Sequence, residues 1–153
     1  MSRIAIAALL AALASAAAPG ASAQAPAFDA ELASKVGADE HGMRAYVLVI
    51  LKTGPNKMPA GPERDEMFKG HFANIKRLAD EGKLTLAGPF DGTDGWRGMF
   101  IFAVKDVEEA RTLTASDPVI AKGEMVAEFH KYYGSAALML VPGEHQKVAK
   151  KSF

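Results

Sequence analysis

The sequence predicts an α+β domain, in which a four-stranded antiparallel sheet carries two helices on one of its faces. Residues 45–52 and 98–104 are apolar at both alternating sets of positions, which is typical of strands covered on both faces. An amphipathic helical pattern follows each of these strands, and the full order is strand, helix, strand, strand, helix, strand. Because strand–helix–strand crossovers are right-handed, this order places both helices on the same side of the sheet.

The first 23 residues are typical of a secretory signal peptide. Arg3 precedes an apolar run at residues 4–18, a helix-breaking Pro-Gly pair follows, and Ala-Ser-Ala at residues 21–23 supplies a cleavage pattern. The alternative is an uncleaved membrane anchor, which the short alanine-rich run disfavours. We therefore expect an exported protein, secreted or periplasmic, whose mature chain begins at Gln24.

Composition limits the class of partner. The mature chain would keep 17 basic and 18 acidic residues among about 130, and this balance disfavours nucleic acid and anionic membranes. The chain has no cysteine, so the apolar core must hold the domain without disulfides. We expect an N-terminal extension at residues 24–44, one domain at residues 45–138, and a tail at residues 139–153 with a solvated basic end.

The predicted elements follow from periodicity and from helix-end signals. In the extension, apolar residues at helical spacing before Gly37 predict a short surface helix. A long loop at residues 53–61 follows the first strand. The first main helix is predicted to begin at Pro62 and to end before Gly82. Its apolar stripe comprises Phe68, His71, Phe72, Ile75, Leu78 and Ala79.

The second half of the domain repeats this reasoning. A strand at residues 84–87 leads through a glycine-rich turn to the strand at residues 98–104. A capping box at Asp106 opens the second main helix, and Asp117-Pro118 is predicted to close it. After a turn, residues 125–132 form the last predicted strand.

The second face of this sheet has no helix to cover it. A second copy of the same sheet is the simplest cover, because an isologous two-fold interface protects both copies at once. We therefore expect a homodimer packed sheet on sheet. The alternative is that the N-terminal segment and the C-terminal tail fold under the sheet.

His71 and Asp117 are the candidate catalytic residues. Each has a plain structural interpretation, since a histidine on an apolar stripe is more often part of the core and Asp-Pro commonly ends a helix. Imidazole nevertheless has an ordinary pKa of about 6.5, close to neutrality, which suits proton transfer. In the predicted topology the end of the second helix lies beside the first, so Asp117 could orient the ring of His71.

The turn between the second and third strands is the candidate ligand-contacting segment. It holds more glycine than a hairpin needs. One interpretation is a wide turn with positive-φ positions, and the other is a backbone that a small ligand approaches closely. In the second interpretation Gly88, Pro89 and Arg97 contact the substrate, with Trp96 at the rim.

Taken in order, these motifs resemble the YciI-like (YCII-related, or DGPF) family over residues 45–138. The resemblance is carried by His71, Ile75 and Leu78, then Gly82-Lys83-Leu84, Ala87-Gly88-Pro89-Phe90, Gly98-Met99-Phe100-Ile101, Glu109-Ala110 and Asp117-Pro118. It implies a ferredoxin-like fold in a dimeric α+β barrel, with a cleft that holds a histidine–aspartate pair at His71 and Asp117. The chain departs from the short cytoplasmic members in its signal, extension and tail. It also has Tyr-Tyr-Gly at residues 132–134, where many members carry Pro-Trp.

The resemblance also implies acid–base chemistry without a cofactor. One characterised branch of the family removes chloride from a chlorinated aromatic diol, and related folds include muconolactone isomerases. We therefore expect a lyase or isomerase acting on a small organic molecule. The alternative is a non-catalytic ligand-binding or interaction domain on the same dimeric scaffold. No metal site is expected, because the four histidines lack metal-ligand spacing, and the sequence has no Gly-x-Ser-x-Gly elbow or nucleotide-binding glycine loop.

Overall fold

The computed structural model describes residues 27–151, so the predicted signal peptide lies outside the described residues. The elements in chain order are α1 (Ala30–Val36), β1 (Met43–Thr53), α2 (Pro62–Asp80), β2 (Leu84–Pro89), β3 (Trp96–Phe102), α3 (Val107–Ala115), α4 (Pro118–Ala121), β4 (Met125–Ser135) and α5 (Val141–Val148), with 3-10 turns at Thr93–Gly95 and Ala136–Leu140.

The four strands form one open antiparallel sheet in the order β2-β3-β1-β4. The predicted α+β class and antiparallel sheet are thereby confirmed, and the order is consistent with a ferredoxin-like fold. β1 is central: Val49 pairs with Phe100 on one side and with Phe129 on the other. These three residues share the face on which α2 and α3 pack, and Val49 is fully buried there.

The first main helix begins and ends as predicted, but its buried stripe is rotated. Gly82 adopts a φ of 69° just after α2, and its N–H donates to the Ala79 carbonyl. The buried residues of α2 are Met67, His71, Asn74 and Leu78. Phe72, which the sequence placed on the apolar stripe, is 41% exposed. The rotation arises because α2 packs against α4 as well as against the sheet, which buries the side that carries Asn74.

The prediction that Asp117-Pro118 closes the second main helix was incomplete. α3 ends at Ala115, and Asp117 is instead the N-cap of a separate short helix, α4. The Asp117 carboxylate accepts a hydrogen bond from Val119 N at 3.1 Å, and Pro118 occupies the first turn. Proline has no backbone N–H to leave unpaired in the first turn of a helix, and the aspartate side chain accepts a hydrogen bond from a backbone N–H there. This pair therefore begins a helix as readily as it ends one.

The chain after β4 contains more regular structure than the sequence indicated, with the 3-10 turn Ala136–Leu140 followed by α5. The 3-10 turn contacts both β1 and β2. Since β3 lies between those strands, and α2 occupies one face of β3, the segment crosses the other face. Tyr46, Ile50 and Ile101 are buried there, which agrees in part with the alternative that the tail folds under the sheet. Trp96 and Val126, on the same face, remain 43% and 44% exposed.

Candidate functional site

The fold brings His71 and Asp117 into contact. Nδ1 of His71 lies 2.9 Å from Oδ1 and 2.8 Å from Oδ2 of Asp117. His71 comes from the middle of α2 and Asp117 from the N-cap of α4, and both side chains are buried. Their meeting depends on the close approach of α2 to α4.

Gly70 permits this approach. A Cβ atom at position 70 would lie 3.0 Å from Cγ of Pro118, closer than such contacts normally are. A glycine just before the histidine therefore lets the proline ring of α4 rest against α2. The residue that begins α4, Asp117, is in this way held against the ring of His71.

Within residues 27–151, every hydrogen-bond partner of the Asp117 carboxylate can donate to it. Besides His71 and the Val119 N–H, Asn74 donates from Nδ2 to Oδ2 at 3.2 Å. The Asn74 amide is itself oriented, since its Oδ1 accepts from Arg77 Nη2 at 2.8 Å. Sequence reasoning missed Asn74. The signal was its position three residues after His71, where an inward polar residue would lie on the same side of the helix.

One ring nitrogen of His71 is left without a hydrogen-bond partner in the described part of the chain. The His71 side chain is 9% exposed, and Nδ1 is covered by Asp117. Nε2 makes no hydrogen bond within residues 27–151. Because every fully buried side-chain nitrogen and oxygen in that part of the chain has a hydrogen-bond partner, Nε2 is not fully buried. Since Nδ1 faces a carboxylate, the neutral ring carries its proton on Nδ1 and presents a lone pair on Nε2.

Aromatic rings surround this imidazole. The ring centroids of Phe72, Phe68 and Phe100 lie 5.4, 6.0 and 6.0 Å from that of His71, and Phe68 meets it edge-on. An apolar wall of this kind limits the access of water and strengthens electrostatic interactions at the ring.

A second buried acid, Glu124, lies near the start of α2. Glu124 is fully buried, and its carboxylate accepts from Met58 N at 2.6 Å and from Arg64 Nη2 at 3.1 Å. Nη1 of Arg97 is 3.7 Å away. Burial raises the pKa of Glu124, but the Met58 N–H and the Arg64 and Arg97 guanidinium groups together outweigh it, so its pKa lies below the ordinary 4.5.

Sequence reasoning missed Glu124 and Arg64. A single glutamate between a glycine and an apolar strand carries no recognisable signal. Its position is determined by backbone pairing, because Gly54 N donates to the Glu124 carbonyl and Asn56 N donates to the Gly123 carbonyl. A Cβ atom on Gly54 would lie 2.2 Å from the Gly123 oxygen, so only glycine allows these two loops to meet.

The three predicted ligand contacts lie in different surroundings. Pro89 pairs with Gly98, on the face of the sheet that carries the helices. Gly88 pairs with Met99, so its Cα faces the opposite side. Positive φ angles occur farther along the turn, at Gly92 and at Gly95. Arg97 alone of the three joins a described cluster of charged groups, around Glu124.

A groove of about 320 Å³ lies between α2, β2 and α5. It is mainly apolar, and its lining residues include Phe72, Ile75, Val141 and His145. A second cavity lies in the turn around Phe90 and Trp96. Neither His71 nor Asp117 lines either of these cavities.

Within residues 27–151, no three histidine, cysteine, aspartate or glutamate side chains come together in a group that could hold a metal ion. In the same part of the chain, no helix has the length and apolar character needed to cross a bilayer.

Comparison with known proteins gives a family. A family profile for the YCII-related domain matches residues 45–129. The uncharacterized protein YjpA of Bacillus subtilis (strain 168) is 27% identical over 81 residues, which make up 53% of this chain and 85% of YjpA. The matched region includes His71, Asp117 and Glu124, and it is more than half of the chain. The chain therefore belongs to the YCII-related domain family.

Proposed function

We propose that this protein is an enzyme that performs cofactor-free acid–base chemistry on a small organic molecule, as a lyase or an isomerase. The supporting observation is the geometry at His71. Its Nδ1 is held by both oxygens of a fully buried carboxylate, and its Nε2 has no hydrogen-bond partner within residues 27–151 and is not fully buried. A histidine oriented in this way has a base on its accessible edge.

In the proposed reaction, Nε2 of His71 removes a proton from a carbon atom of the substrate. In an isomerisation the imidazolium returns that proton to another atom of the same molecule. In an elimination the electrons of the broken C–H bond form a double bond, and the leaving group departs with its own bonding electrons. Asp117 keeps the ring oriented and stabilises the imidazolium. Arg97 and the backbone at Pro89, which lies on the face that carries the helices, shape the pocket.

Replacement of His71 tests this proposal. Mature protein would be screened against small lactones and halogenated phenols, and any turnover compared with that of His71→Gln. General acid–base assistance contributes about 10²–10⁴-fold, so the rate should fall by about that factor. His130→Gln is the matched control, because His130 also pairs with a carboxylate, Glu128, at 2.8 Å but is exposed. Equal turnover by the wild type and His71→Gln would contradict the proposal.

A non-catalytic ligand-binding role is the second candidate, and one observation favours it. His71 is only 7% exposed, and the described cavities do not include it. If compounds bind in the groove between α2 and α5 without being turned over, and His71→Gln binds them equally well, this role replaces the enzymatic one.

We also propose that the protein is a homodimer through the second face of its sheet. Trp96, Val126 and Tyr132 expose apolar surface there beside the segment that crosses β3. A stable interface of standard size buries about 800 Å² on each partner. Sedimentation should give a dimer for the wild type, a monomer for Val126→Asp, and a dimer for the control Phe28→Asp, since Phe28 lies in the extension. A monomeric wild type would refute this assembly.

Export is proposed from the sequence of residues 1–23 alone. Expression with these residues should yield periplasmic or secreted protein whose first residue is Gln24, which intact-mass measurement would show. Uncleaved protein retained in the membrane would instead support the anchor.

A further inference from the structure

We infer that the ligand of this site is a small ring-shaped anion, with a carboxylate as the simplest charged group, and that Arg64 and Arg97 bind it. This inference deepens the proposed function and rests on it. The charge, the unused hydrogen-bond donors and the placement of the two arginines support it.

The charges around Glu124 do not balance. Arg64 and Arg97 both approach this one carboxylate, at 3.1 and 3.7 Å. Within residues 27–151 neither guanidinium pairs with any other acid. The cluster therefore carries one uncompensated positive charge beside the aromatic rings of the site, and a bound anion would neutralise it.

The two guanidinium groups also have donors to spare. A guanidinium carries five N–H bonds. Arg64 uses one of them in its hydrogen bond to Glu124, and at 3.7 Å Arg97 makes an ionic contact that is too long to be a hydrogen bond. Their side chains are 28% and 22% exposed, so the remaining donors are partly accessible. Glu124 is already held by the Met58 N–H and by Arg64, and does not depend on Arg97 for a hydrogen bond.

The placement of these donors suits a ring-shaped ligand, because the Phe68 ring lies between the Arg64 guanidinium and the His71 imidazole. Arg64, Phe68 and His71 follow one another at helical spacing on α2 and share one side of it. The Arg64 guanidinium stacks over the Phe68 ring at 4.6 Å, and that ring meets the imidazole of His71. A ligand with its ring against Phe68 could place an anionic group at the arginines and a reacting carbon near Nε2. Planar stacking and paired donors suit arginine to a carboxylate.

Benzoate and benzamide are suitable probes, because they have nearly the same shape and differ in charge. We expect the mature wild type to bind benzoate at least about tenfold more tightly than benzamide, which is about 1.4 kcal/mol. Arg97→Gln should abolish this preference. Arg111→Gln is the matched control and should keep it, because Arg111 also stacks on a ring, Phe129 at 4.5 Å, but belongs to α3. Affinities would be measured by ligand-observed NMR.

A salt titration of the wild type tests the inference without a variant. Raising the salt concentration should weaken the binding of benzoate and leave that of benzamide nearly unchanged, because salt screens only the charged interaction. Equal affinities for the two probes, no binding of either at millimolar concentration, or an unchanged preference in Arg97→Gln would overturn the inference.

The failure of this inference and that of the proposed function can be told apart. His71→Gln should retain the preference for benzoate, because His71 does not contact the arginines. If the preference is present and His71→Gln does not slow turnover, the anion site stands and the enzymatic role falls. If His71→Gln abolishes turnover and the probes bind equally, the enzymatic role stands and the anion site falls.

Discussion

Replacing Asp117 by asparagine tests the central contact of the site. The substitution keeps the shape of the side chain and changes one carboxylate oxygen into an NH₂ group. In the wild type each neighbour of this carboxylate donates a hydrogen bond: His71 to both oxygens, Asn74 to Oδ2 and Val119 to Oδ1. The NH₂ group of the new asparagine must therefore face a hydrogen-bond donor of a neighbouring residue.

The expected size of the effect follows from these partners. If the new amide keeps its oxygen toward Val119 N, its NH₂ group faces Asn74 Nδ2. Asn74 cannot turn over without losing the hydrogen bond from Arg77 to its Oδ1. We therefore expect a loss of about 1–3 kcal/mol in the free energy of unfolding, the cost of one unsatisfied buried polar group.

The same change alters the imidazole. With an NH₂ group opposite Nδ1, that nitrogen becomes the acceptor and the proton moves to Nε2. The accessible edge of His71 then donates and has no lone pair, so turnover should fall by about 10²–10⁴-fold. Long-range ¹H–¹⁵N NMR distinguishes the two neutral tautomers, and urea unfolding measures the stability.

Asp106→Asn is the control, because Asp106 is the exposed N-cap of α3 and accepts from Glu109 N at 2.9 Å without a histidine nearby. Asparagine caps as well as aspartate, so this variant should lose only a few tenths of a kcal/mol. An unchanged tautomer in Asp117→Asn, or equal losses in the two variants, would refute the reasoning.

Three further predictions concern the surroundings of the site. The lowered pKa of Glu124 means that its carboxylate contributes fully to stability above pH 4.5 and loses that contribution as the pH falls through the lowered pKa. Glu124→Gln should therefore cost about 1–3 kcal/mol at pH 7 and less at pH 3 in urea unfolding, and equal losses at both pH values would contradict this. Gly54→Ala should lower stability by at least about 1–3 kcal/mol, because its Cβ would lie 2.2 Å from the Gly123 oxygen. The control Gly143→Ala has open space around the new Cβ and should show no loss of stability in thermal unfolding. Gly70→Ala should leave stability nearly unchanged, since the gain in helix propensity of about 0.5–1 kcal/mol offsets the crowding against α4. It should nevertheless slow turnover, and an unaltered rate would argue against a role for the close approach of α2 to α4.

Much of the fold was predictable from local patterns. Both-face apolar alternation predicted β1 and β3, and the proline and glycine at the two ends of α2 predicted its length to within a residue or two. The rotation of α2 was not predictable, because it depends on the packing of α4. α4 itself was missed, since Asp-Pro can end one helix or begin another.

The candidate site divides in the same way. Helical periodicity was sufficient to place His71 on an inward stripe. The order of motifs along the chain was sufficient to suggest Asp117 as its partner. The sequence did not identify three further residues of the site, which are Asn74, Arg64 and Glu124. Their roles depend on contacts with side chains from other segments, and those contacts form only in the folded chain.

Short-range rules account for the helices, the strands and the chemical type of each inward side chain, because alternation, caps and turns act over a few residues. The contact between His71 and Asp117 joins positions 46 residues apart. Its geometry depends on how closely two helices can pack, and Gly70 and Pro118 determine that distance. The burial of each group, and the donors around each carboxylate, likewise follow from the assembled fold, since they are properties of neighbours that the chain order does not place together.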